Sequence, residues 1–363
     1  MRQLGISVYP EHTTKEKTYA YMRLAGSLGY RRVFTCFLSV TESREDTIRN
    51  FREFCTVAHE AGLTVSADTN PQVFAKLGAS ARDLSVFKEI GLDIIRLDGR
   101  FGGNDDVAIT HNPYGIKIEY NASGSIDMRH LIESGADTEN MCACSNFYPQ
   151  RHTGMTIDRY TELARRYKDC GLRIASFVGS QEKDTFGPWP VFDGLVTLEM
   201  HRDLPIDLQA RHLNAIGMCT DIMIGNCFAS EEELKALAEC DLTKIMMKAV
   251  IEEDVSETER EILKWNRHAQ REDGNSIIVR STWPRVEFRG KPIPPRTRKD
   301  RMVHRGDILI VNDLLEHYRG ELWIVREDFE AEDCYNLAGH LAEHEEILLD
   351  WIRPSYEWGL IIE

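Results

Sequence analysis

Short apolar runs that end in a polar or acidic residue recur through the first two thirds of the chain, each followed by a helical period. Gly5-Ile6-Ser7-Val8-Tyr9 runs into Pro10-Glu11, and Leu63-Thr64-Val65-Ser66-Ala67 runs into Asp68-Thr69-Asn70. Ile94-Ile95-Arg96-Leu97 is followed by Asp98-Gly99, and Ile116-Lys117-Ile118 by Glu119-Tyr120-Asn121. Asn146-Phe147-Tyr148 and Ile224-Gly225-Asn226 continue the pattern. Strands alternating with helices form parallel sheets. Eight such units in about 240 residues match a (β/α)8 barrel, in which every strand points its C-terminal end at one face. Polar residues far apart in sequence then converge on one pocket.

The expected strands cover 3–9, 33–38, 63–67, 94–97, 116–120, 141–147, 173–178 and 221–224. Helices are expected over 14–28, 44–61, 81–90, 156–170, 206–216 and 230–240, with Gly29, Gly62, Gly91 and Gly171 as stops. Ser230 and Glu233 have the spacing of a capping box. Beyond Asp241 the helical period fades. Short strands at 244–251, 277–281, 307–311 and 321–326 flank a Pro- and Arg-rich loop at 284–301, and Ser256 with Glu259 caps one short helix. The expected fold is therefore α/β: an N-terminal (β/α)8 TIM barrel over 1–241 and a smaller β-rich, barrel-type domain over 242–363.

A net charge of −15 argues against a general nucleic-acid-binding surface, though not against a local basic pocket. No apolar run is long enough to span a membrane. The start, Met1-Arg2-Gln3-Leu4-Gly5, enters a strand without signal-peptide organisation, so a cytoplasmic protein is expected. Nine cysteines form no CxxC pair and read as reduced, mostly buried thiols. Cys142 and Cys144 share a strand face, but no His or Cys cluster completes a metal site there. The chain has no P-loop, dinucleotide fingerprint, HExxH or GxSxG elbow, and no cofactor is expected.

Asp68, Asp98 and Glu119 are the candidate catalytic groups. Paired carboxylates across a pocket are what glycoside hydrolysis uses: one protonates the leaving oxygen, the other serves as base or nucleophile. Each acid has a purely structural alternative, capping a helix or pairing with Arg96 or Arg100. Tyr9, Glu11, Asn70, Asn121, Asn146, Tyr148 and His152 offer the hydroxyls, amides and aromatic faces that suit a sugar. Gly179-Ser180 and Gly225-Asn226 follow the seventh and eighth strands, where many barrels bind phosphate through backbone N–H groups. Arg151, His201, Arg202 and the basic loop 292–299 could add positive charge. These residues leave three function classes open: a phosphosugar glycosidase, a barrel lyase or isomerase acting on a small phosphorylated substrate, and a non-enzymatic sugar-binding or surface interaction protein.

The ordered set Leu4-Gly5-Ile6-Ser7-Val8-Tyr9-Pro10-Glu11, Ala67-Asp68-Thr69-Asn70-Pro71, Ile95-Arg96-Leu97-Asp98-Gly99, Ile118-Glu119-Tyr120-Asn121-Ala122-Ser123, Asn146-Phe147-Tyr148-Pro149 and His304-Arg305-Gly306-Asp307 resembles a bacterial family long described as "outer surface protein" or as a domain of unknown function. That family includes the 6-phospho-N-acetylmuramidases. The resemblance implies a TIM barrel followed by a cyclophilin-like β-barrel. It also implies a cytosolic glycosidase that splits N-acetylmuramic acid 6-phosphate–N-acetylglucosamine during peptidoglycan recycling, so a small phosphosugar is the expected partner.

Overall fold

The computed structural model describes residues 2–363 except 125, 191, 192 and 299. Lys299 of the basic loop and the initial Met1 thus lie outside the described residues. The chain divides into two compact units, one running up to Leu213 together with Gly217–Cys240, the other Asn214–Ile216 with Asp241–Glu363.

In the first unit β1 (Gln3–Ser7), β2 (Arg32–Cys36), β3 (Thr64–Thr69), β4 (Ile94–Leu97), β5 (Lys117–Asn121), β6 (Met141–Cys144), β7 (Ile174–Val178) and β8 (Asp221–Ile224) pair in sequence order. All pairs are parallel, and β8 returns to β1 through Gln3↔Asp221 to close the barrel. Closure removes every sheet edge and forces alternate side chains inward. Phe34, Phe147 and Phe177 meet edge to face, at centroid separations of 5.0–6.3 Å. Local signals set the helix ends. Ser43, Thr156 and Ser230 accept from the backbone N–H three residues on, and Ser230 with Glu233 forms the full capping box. Gly91 and Gly217 end their helices in the left-handed conformation, at φ +98° and +72°.

Three strand limits depart from the expectation in ways that matter for the site. β3 runs on to Thr69, so Asp68 lies inside it rather than after it. β5 runs on to Asn121, so Glu119 is the third of its five residues. β6 stops at Cys144, because the Tyr148 N–H bonds to the Val196 carbonyl at 3.1 Å and draws the following chain toward the loop after β7. The structure adds short helices at Pro71–Leu77, Asn104–Ala108 and Met128–Glu133 to those expected.

The second unit contains β9 (Ile245–Ile251), β10 (His268–Ala269), β11 (Ile278–Ser281), β12 (Met302–Val303), β13 (Asp307–Val311), β14 (Leu322–Val325), β15 (Phe329–Glu330), β16 (Tyr335–Leu341) and β17 (Glu357–Ile362). Seven of them form a nearly closed, barrel-like sheet in the order β10-β17-β9-β16-β13-β14-β11. Every pair in it is antiparallel except β17 with β9. Val303, Leu309, Val325 and Ala331 form one buried cluster, covered by Trp323, Phe329, Tyr335 and Leu337. The capping box of Ser256 and Glu259 is present, but Pro284–Glu287 is a helical turn rather than loop.

Candidate active site

Two arginines organise the polar interior of the barrel. Arg32, at the start of β2, directs Nη2 between both oxygens of Glu119, at 2.6 and 2.7 Å. Its Nε donates to Ser66 Oγ at 3.1 Å, and its Nη1 lies 3.6 Å from Asp221, which also pairs with Arg173. The Glu119 side chain is 0% exposed. Its placement follows from strand alternation, which aims residues 117, 119 and 121 of β5 to one side. An ion pair taken this far out of water survives only with this dense bonding, and removing one partner typically costs about 3–5 kcal/mol.

Arg96 is the second organiser. Its Nη1 donates to Asp68 Oδ1 at 2.7 Å and its Nη2 donates to Asn146 Oδ1, while its buried Nε has no hydrogen-bond partner among the described residues. Register places Asp68 beside Arg96 and Arg96 beside Glu119. Burial pushes the Asp68 carboxyl up to about 6; Arg96 pulls it down, and the charges of Asp98 and Glu119 push it further up. The three carboxylates therefore sense one another.

Asp98 stands in a different environment. It follows β4 and is exposed. Its backbone N–H donates to the Thr69 carbonyl at 2.8 Å, next to Asp68 in the chain. Asn121 approaches Asp98 through Nδ2 at 3.5 Å, and the buried Oδ1 of Asn121 has no partner among the described residues. The structure thus brings together a buried carboxyl, an exposed carboxylate and an amide oxygen that awaits a donor.

The other expected contacts divide. Tyr9 is fully buried and donates to the Gly225 carbonyl at 2.7 Å; burial raises its phenol well above the usual range. Asn146 and Tyr148 are half-buried. Asn70 caps the helix Pro71–Leu77 by accepting from Val73 N–H at 2.9 Å, and Glu11 is exposed and accepts from Ser39. Arg151 is exposed and held by Asp203 at 2.7 and 2.9 Å.

The two glycine loops are bonded within the protein. Gly179 N–H donates to Gln209 Oε1 at 2.8 Å, Ser180 N–H to Asn226 Oδ1 at 2.8 Å, and Gly225 N–H to the Val178 carbonyl at 2.9 Å. Arg202 is buried among four carbonyls and Glu199. Glu199 also accepts from the N–H groups of His152 and Gly154, and these bonds, with that from Arg202 the strongest, pull its carboxyl down to about 2. His201 is fully buried against His212. Arg296 of the basic loop pairs with Asp254 and Glu259. Arg32 and Arg96 hold the site's carboxylates, a role that their sequence positions mark only weakly. The available signal was an arginine at an inward position of an otherwise apolar barrel strand.

Among the described residues no His, Cys, Asp and Glu cluster could hold a metal ion, and no helix is long and apolar enough to cross a membrane.

Comparison with known proteins decides the family. The N-terminal model of the 6-phospho-N-acetylmuramidases matches residues 4–239, and the C-terminal model of the same enzymes matches residues 245–361. The chain belongs to the 6-phospho-N-acetylmuramidase family. It is accordingly a glycosidase, and a phosphosugar substrate fits the family's name. Among solved structures, an uncharacterized Bacillus cereus protein is 38% identical, with a TM-score of 0.91 over 99% of both chains. A conserved Enterococcus faecalis protein of unknown function is 22% identical, with a TM-score of 0.71 over 99% of this chain and 96% of that one, and shares the fold. No curated protein matches the chain.

Proposed function

We propose that the protein hydrolyses the bond between N-acetylmuramic acid 6-phosphate and N-acetylglucosamine, in the cytosol, as a step in peptidoglycan recycling. In this reading Asp68 and Asp98 are the catalytic carboxyls, and Glu119 is a positioning residue that acts through Arg32 from inside the barrel. The observation that carries it is the contrast between the two aspartates. Asp68 is desolvated and holds its proton up to about pH 6, whereas Asp98 faces solvent. Opposed environments for neighbouring carboxyls are how glycosidases separate the acid from the base or nucleophile.

The step balances without a cofactor. Asp68 gives its proton to the leaving oxygen of N-acetylglucosamine as the C1–O bond breaks. Asp98 either deprotonates the attacking water or attacks C1 itself before water releases the sugar. Asn121 Oδ1 is suited to accept from a sugar hydroxyl or acetamido N–H, and Tyr148 offers an aromatic edge. For the phosphate we favour Arg100 over the glycine loops, whose amides are already occupied. Its Nε and Nη2 are fixed on Asp106 at 3.0 and 2.9 Å, which leaves Nη1 at a half-exposed position two residues from Asp98. A guanidinium anchored on one edge is pre-organised to bind phosphate with the other. The second unit is taken as cyclophilin-like in fold, without prolyl isomerase activity.

The test is turnover of the phosphorylated disaccharide by Asp68→Asn and Asp98→Asn. Loss of at least about a hundredfold in each, with wild-type melting behaviour, supports the assignment. Near-wild-type turnover in either sinks that residue's role.

A further inference from the structure

The β-rich unit carries a surface pocket of about 470 Å³ beside the helical turn Pro284–Glu287 and the 3-10 segment Asp313–Tyr318. Three guanidiniums line it, from Arg285, Arg289 and Arg319, with His317 and a single carboxylate, Glu316. Convergent cations of this kind are unexpected in a chain of net charge −15. A concave, low-dielectric wall concentrates their field.

Two of the three are held in place by buried or half-buried acids. Arg285 Nη1 lies 3.0 Å from Glu321, whose side chain is 0% exposed and is also gripped by Arg280 at 2.8 and 3.0 Å. Arg319 Nη1 lies 3.2 Å from Asp313. Arg280 and Arg285 both sit over the ring of Tyr318, at 5.7 and 5.6 Å from its centroid. The Arg289 side chain has no ion-pair or hydrogen-bond partner among the described residues. Gly320 brings the two segments together. Its φ is +90°, and a Cβ there would meet Arg285 Cα at 3.3 Å. Val286, which also lines the pocket, is 51% exposed, and Trp283 and Leu314, in the chain segments that carry the lining residues, are 60% and 61% exposed.

We propose that this pocket binds a sugar phosphate. Arg285 and Arg319, already oriented by their acids, grip the phosphate, and the unpaired Arg289 closes on it. Forked guanidiniums match phosphate oxygens bidentately, and the exposed indole of Trp283 offers a face for the sugar's C–H surface. An extended nucleic acid is disfavoured by the protein's overall charge. Binding at this pocket does not depend on the barrel chemistry.

Hydrogen exchange read by mass spectrometry on the full chain tests it, with glucose 6-phosphate as probe and glucose as control. The expected result is slowed exchange over 283–289 and 313–320 with the phosphate ester and none with glucose. Arg289→Ala should raise the concentration needed by about tenfold, as expected for losing one charge-assisted contact, while Asp98→Asn leaves it unchanged. Unchanged exchange in those segments at every probe concentration, or equal protection in wild type and Arg289→Ala, overturns the proposal.

Discussion

Arg96 Nη1 lies 2.7 Å from Oδ1 of Asp68, with both side chains almost fully buried, and the same guanidinium reaches Asn146 in the loop after β6. One arginine thus ties two barrel strands and the loop after β6 together around the proposed acid. Burial favours the neutral carboxyl and Arg96 favours the charged one, with burial the larger influence.

The pH dependence of turnover follows from that balance. If protonated Asp68 is the acid, kcat/KM falls as pH rises through about 6. That limb should vanish in Asp68→Asn, whose residual activity is flat across the same window. The sign for stability is worked out the same way. The folded pKa lies above the unfolded value, so between about pH 4 and pH 6 the folded state binds more protons, and Asp68's contribution is lost as pH rises through about 6. Urea melts of wild type and Asp68→Asn across this range measure it.

Glu119→Gln separates a structural carboxylate from a catalytic one. The substitution leaves Arg32 buried with a neutral partner and only Asp221 nearby, at 3.6 Å. Stability should fall by about 3 kcal/mol. Protein that is still folded should keep turnover within about tenfold of wild type, well short of the loss that removal of a general acid or base causes. Denaturant melts and assays well below the melting midpoint check both halves.

Arg100→Ala tests the phosphate contact. KM for the phosphorylated disaccharide should rise by about ten- to a hundredfold with kcat little changed, as for loss of a charge-assisted bond made equally in ground and transition states. A fall in kcat at constant KM would place Arg100 elsewhere in the mechanism.

Gly225→Ala tests the packing of the loop after β7 on β8. A Cβ at 225 would stand 2.2 Å from the Leu195 carbonyl oxygen, and Gly225 also accepts the Tyr9 hydroxyl bond. Displacing that loop should cost about 1–3 kcal/mol and speed limited proteolysis within residues 181–196.

Much of this architecture is legible in the sequence because its causes are local. The alternation of apolar runs with helical periods gave the barrel, and caps such as Ser230 with Glu233 are written within four residues. The site is less legible because its causes are not local. Arg32 and Glu119 lie 87 residues apart, and nothing near Glu119 marks it as an interior residue rather than a strand-end acid. The glycine loops look free in sequence, yet Gln209, Asn226 and Glu233 occupy their amides from 30 to 52 residues away. β16 is hard to see in the sequence because Asn336 and Gly339 dilute its strand propensity; its place is fixed by pairing with β13 and β9.

The central claim is tested most directly by offering wild-type protein 6-phospho-N-acetylmuramyl–N-acetylglucosamine beside its unphosphorylated twin and following release of N-acetylglucosamine. The account predicts cleavage of the phosphorylated disaccharide and little or none of the other. Equal cleavage of both would contradict the phosphosugar specificity, and cleavage of neither by folded protein would contradict the proposed substrate altogether.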